Sequence, residues 1–183
     1  MDGQAGGGPK SRRSGTMDAT RPRIPFAEWP LQAVLSAGFV WYTAPGVLVT
    51  QAQVEHASLE HTRAMTVLVD AVLKAKADDL AALGGLLIIH DWRTVKSWDP
   101  EVRQHLVQRA KDRPAGLVRG IEVAMPLNPI MRMAAQVIDL MMSAVGGGRV
   151  KVIDSLPESL VRHRVKTPPT GARLPTEIPT PRT

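Results

Sequence analysis

Apolar and polar positions alternate in an orderly way from Phe39 onward. FVWYTA and VLVTQ are two short β-branched and aromatic runs separated by Pro45-Gly46. Pro45 pre-sets the negative φ of a tight turn and Gly46 tolerates the positive φ after it, so the pair reads as an antiparallel hairpin. From about Ala57 to Lys76 the spacing changes to threes and fours. Met65, Leu68, Val69, Val72 and Leu73 share one helical face. Gly84-Gly85 breaks this pattern before LLII, an unbroken apolar run that suits a central strand covered on both faces.

Asp99-Pro100 then has the form of a helix start, Asp as the N-cap and Pro at the first helical position. Val102, Leu106 and Ala110 make the apolar stripe, and Pro114 and Gly116 end it. VRGIEVAM alternates like a strand. Asn128-Pro129 repeats the helix start for a segment reaching about Val145, which Gly146-Gly147-Gly148 stops. RVKVID is a last strand and SLPESLVRHR a short closing helix. The order β-β-α-β-α-β-α-β-α predicts an α/β fold: a mostly parallel sheet with an N-terminal antiparallel hairpin and alternating helices. Residues 31–36 add an edge strand.

This arrangement resembles the STAS domain of bacterial anti-sigma-factor antagonists and the related STAS/SEC14-like proteins. The resemblance lies in LLIIHDWRTVKSWDPEVR and RVKVIDSLPESL and covers roughly residues 39–165. In the family a buried strand ends in an Asp, and a short loop leads to an Asp that opens the next helix. Asp91 and Asp99 stand at those places, and Leu156 and Leu160 match a Leu-x-x-x-Leu closing helix. In the antagonists the helix-opening Asp is followed by the Ser that a partner kinase phosphorylates and, one residue on, by a Gly. Here those places hold Pro100 and Val102. The resemblance therefore implies a module without the usual phosphoacceptor, whose binding is constitutive. Ser97 and Thr94 are the nearest hydroxyls.

The formal charge of +6 belongs to the ends. Residues 1–25 and 157–183 each carry five basic against two acidic side chains, while residues 26–156 balance. A nucleic-acid-binding domain would place a basic face on its folded body. The ends supply only weak, salt-sensitive attraction to polyanions. Residues 1–25 are Gly-rich and basic, and 166–183 are Pro-rich, so both read as disordered tails around a domain at 26–165. No apolar h-region or ~20-residue apolar span is present, which points to a cytoplasmic protein. With no cysteine, disulfides, thiolate metal sites and thiol nucleophiles are excluded.

Catalytic chemistry finds little support in the residue pattern. His56 and His61 are five apart and do not share a helix face. His90 and Asp91 end a central strand, where open α/β sheets place ligands, but strand neighbours point to opposite faces. No nucleophile–base–orienter set can be assembled, and neither a metal site nor a cofactor is expected. Two features suit binding instead. Trp92 and Trp98 flank Arg93, Lys96 and Ser97 ahead of Asp99 and Pro100, and Trp and Arg are enriched at binding hot spots. The helix from Asn128 carries one polar stripe, Arg132, Gln136, Asp139 and Ser143, on an otherwise apolar cylinder. Its Met131, Met133, Met141 and Met142 form an adaptable face for a second copy, another protein or a small apolar ligand. The reading is a non-catalytic STAS-like protein-binding module in bacterial signalling or scaffolding, its unknown protein partner docking on residues 92–100. The alternative is carriage of a small apolar ligand or lipid.

Overall fold

Pro45 and Gly46 turn the chain as their residue types require, Gly46 at φ +68°. In the computed structural model, residues 34–36, 39–126, 129–144 and 148–166 are described. In chain order the elements are β1 (Val34–Ser36), β2 (Phe39–Ala44), β3 (Val47–Ala52), β4 (His56–Ala57), α1 (Leu59–Ala75) and α2 (Ala77–Ala82). Then come β5 (Leu86–Asp91), β6 (Ser97–Trp98), α3 (Glu101–Asp112), β7 (Val118–Ala124), α4 (Pro129–Ala144), β8 (Val150–Ile153) and α5 (Leu156–Arg162). The tails expected at 1–25 and 166–183, Lys166 apart, lie outside the described residues, as does Asn128.

The main sheet runs β1-β2-β3-β5-β7-β8. The first three strands are antiparallel, and β3, β5, β7 and β8 are parallel. This is the expected α/β fold, with the hairpin at one side of a parallel sheet, an arrangement consistent with a STAS-like class. All six residues of β5 are buried, as an unbroken apolar run demands. Side chains of α1, α3 and α4 pack with Trp41, Leu48, Leu86, Ile88 and Val123 on one face of the sheet. Leu156 and Leu160 of α5 pack with Tyr42, Val49, Leu87 and Ile89 on the other.

Three local features differ from the expectation. The first long helix starts at Leu59, because the Ser58 hydroxyl accepts the His61 N–H and caps it there. It also stops at Ala75. Lys76 leaves helical geometry, and the short α2 follows, anchored by the fully buried Leu80. The third is the two-stranded β4–β6 ribbon, too short for any periodicity to announce.

Polar contacts hold the helices in place. Asp70 of α1 accepts from Arg109 of α3 and from Arg113 just after it, the latter at 2.8 Å. On the opposite face Glu122 of β7 is buried and clasps α5. It accepts from the Ser159 hydroxyl, from His163 Nε2 at 3.1 Å and from Arg162 at 3.5 Å. Burial works to raise its pKa, but these hydrogen bonds and the charges of His163 and Arg162 prevail and hold it below the ordinary glutamate value. A carboxylate depressed on folding contributes stability above its ordinary pKa, lost as the pH falls through the lower folded value. Thermal melts from neutral to acid pH are therefore expected to fall more steeply for wild type than for Glu122→Gln. At neutral pH the variant is less stable by about 1–3 kcal/mol, the worth of hydrogen bonds to a charged acceptor. Parallel melting curves across the acid range would contradict this assignment.

Candidate functional site

The carboxyl ends of β3 and β5 deliver two loops to the same end of the sheet, Gln53–Ser58 and Trp92–Pro100. Open α/β sheets place their binding surfaces at this end. The two loops are stitched together. His56 and Ala57 pair in parallel with Ser97 and Trp98. The N–H groups of Lys96 and Ser97 both donate to the Glu55 carbonyl, at 2.7 and 3.3 Å, and that of Asp99 donates to Ala57 at 3.2 Å. The Thr94 hydroxyl reaches the Ala52 carbonyl at 2.8 Å, and Lys96 pairs with Glu55 at 2.6 Å. At the root of the loop, Arg93 grips Asp91 with two parallel bonds of 2.8 and 2.9 Å. Such fork geometry fixes orientation as well as distance.

These contacts sort the residues expected to dock a partner. Arg93, Lys96, Ser97 and Pro100 are exposed, and Trp98 and Asp99 are half-buried. Trp92 is not a surface residue. It is 7% exposed, in the core beside His90, with its ring centroid 5.9 Å from that of Trp98 in edge-on contact. The loop therefore exposes its polar side chains, with Trp98 half-buried among them. Beneath it, Val95 is fully buried and anchors the loop's centre.

Asp99 also corrects its expected role. Its backbone carbonyl accepts the Val102 N–H at the start of α3, but its carboxylate turns to the other loop. Oδ2 accepts the Leu59 N–H at 2.7 Å, at the first turn of α1, and Oδ1 bonds His56 Nε2 at 2.9 Å. The Leu59 bond, followed by that of His56, holds the Asp99 pKa below its ordinary value. One carboxylate thus ties the start of α3 to the start of α1.

His56 completes a chain that sequence spacing concealed. Its Nδ1 lies 2.9 Å from Ser97 Oγ, so Ser97, His56 and Asp99 are linked in series across 41 and 43 residues. The expectation that no nucleophile–base–orienter set assembles is corrected by this geometry. In the structure the series links the two loops. His56 and Ser97 are exposed, and the cavities beside β3 and beneath α4 are lined by other residues. A serine nucleophile needs a concave site with donors for the developing oxyanion. Ser97 is accordingly expected to resist a fluorophosphonate probe as a free serine does. Rapid stoichiometric labelling at Ser97 would make it a nucleophile instead.

On α4, Met142 is buried, Met141 half-buried and Met133 61% exposed, while the side chain of Met131 lies outside the described residues. Val137 and Leu140 are, like Met133, large apolar side chains exposed on this helix. The polar stripe has a local purpose. Asp139 accepts the Val150 N–H at 2.7 Å and Arg132 pairs with Asp154 at 2.6 Å, both along the outer strand β8. Between this helix, α1 and the sheet lies an apolar cavity of about 50 Å³, and a second of about 30 Å³ adjoins β3. Neither has the volume to take up an acyl chain. No helix among the described residues is long and apolar enough to cross a membrane. No protein-family model, curated protein or solved structure matches this chain.

Proposed function

We propose that this protein is a non-catalytic, STAS-like binding module of bacterial signalling or scaffolding, which presents residues 93–100 and the start of α3 to a protein partner. The observation that carries this reading is the stitching of the two loops. Every backbone and side-chain bond between residues 52–59 and 94–99 holds an exposed polar surface in one shape before any partner arrives. A surface ordered in advance loses less conformational entropy on binding. Pro100 stands where the related antagonists have their phosphoacceptor, so association on this surface is constitutive. The small size of the apolar cavities favours this reading over carriage of a lipid.

The test is a comparison of partners retained by the full chain from its native cells. Wild type and Met133→Glu, altered at an exposed position of α4, are expected to retain the same partner, before and after phosphatase treatment. Arg93→Glu/Lys96→Glu, a charge reversal on exposed side chains, is expected to lose it. A partner kept by the loop variant and lost by Met133→Glu would move the binding surface to α4. Loss on phosphatase treatment would mean that Ser97 or Thr94 has taken over a phosphoacceptor's role.

A further inference from the structure

His90 occupies an unusual position for an imidazole. It is 93% buried, since only 7% of its surface is exposed, and its Nδ1 shares a 2.6 Å hydrogen bond with the Thr50 hydroxyl. The ring lines the 50 Å³ cavity, and so do three methionines from three further parts of the fold: Met65 of α1, Met125 just after β7, and Met142 of α4. Trp92 and Trp98 line the same space.

The chemistry of that lining narrows the occupant. A water molecule needs two to four polar partners, and this cavity offers one imidazole. A divalent ion in an apolar site needs anionic ligands, and no carboxylate lines the cavity. An organic ligand of drug size needs several hundred Å³. A monovalent soft cation has less charge to bury and is bound by neutral donors. Thioether sulfur and neutral imidazole suit it as donors, and an aromatic ring close to a cation adds cation–π attraction.

We propose that this cavity is a site for a soft monovalent metal ion of the Cu(I) type, held by His90 and the thioethers lining the space with it. The inference is independent of the loop surface above, and either can fail without the other.

The test is anaerobic titration of the full-length protein with Ag(I), a redox-inert soft cation, followed by tryptophan fluorescence and by the ¹⁵N shifts of the His90 ring. One equivalent is expected to bind, with a large shift of the ring nitrogen that Thr50 does not engage. Met65→Leu/Met142→Leu, which preserves core volume, is expected to weaken binding at least tenfold, and exposed Met133→Leu to leave it unchanged. His90→Gln is expected to abolish the site, and should it fail to fold, the leucine variants decide alone. The proposal is overturned if no saturable first equivalent appears. It is equally overturned if the His90 ring signals stay still, or if Met133→Leu weakens binding as much as the double variant does.

Discussion

Trp92→Ala is expected to lower stability by about 3–5 kcal/mol, the range for removing a large aromatic from a packed core. Trp98→Ala should cost far less, because half-buried Trp98 still meets solvent. The difference follows from where the loop puts the two indoles. Trp92 is the first residue after β5, and its N–H donates to the Ala124 carbonyl at 2.7 Å, which continues the strand pairing and sends the ring inward against His90. Trp98 pairs in β6 and covers Trp92 from outside. Urea unfolding of both variants measures this. Equal midpoints would mean that Trp92 is as dispensable to the core as a surface residue.

A second large loss is expected at Gly85→Ala, roughly 2–4 kcal/mol, with Gly84→Ala costing about 1 kcal/mol. Both glycines have positive φ, +74° and +100°, which any side chain resists. Space separates them. A Cβ at Gly84 meets nothing within 4 Å, whereas one at Gly85 comes within 2.8 Å of the Gly116 carbonyl oxygen and 3.1 Å of the Arg119 nitrogen. Those are backbone atoms of the segment leading into β7, and they cannot swing aside as a flexible side chain can. Because Leu86 N–H bonds the Leu117 carbonyl at 2.7 Å beside this contact, the clash falls on the entry to both central strands. Thermal unfolding of the two variants reads the contrast, and equal losses would show that φ alone matters there.

Much of the architecture was legible because it depends on local signals. Pro45-Gly46 made a hairpin, LLII made a central strand, and the three-and-four spacing from Met65 to Leu73 made a helix. The expected edge strand within 31–36 is found at Val34–Ser36. What escaped is non-local. The series Ser97–His56–Asp99 joins residues about forty positions apart, and its histidine was weighed only against His61. Glu122 sat in an alternating strand as one polar position among several, and nothing marked Ser159 and His163 as its partners. Trp92 illustrates a different limit. A tryptophan in a polar loop reads equally as bait or as anchor, and only the direction of the chain leaving β5 decides between them.

The Glu122 clasp bears on the order in which this molecule can be finished during synthesis. The hairpin of β2 and β3 closes over a two-residue turn, and α1, α3 and α4 each follow a strand they cover. The opposite face has no such local supply. Among the described elements its helix is α5, and the bonds that fasten it span 37 to 41 residues back to Glu122. Until residues 156–163 emerge from the ribosome, that face of β5 and β7 lacks its helix, with Leu87 and Ile89 still waiting for Leu156 and Leu160. A nascent chain halted before α5 thus leaves these apolar residues without the helix that packs on them, the kind of surface that draws chaperones and misassociation.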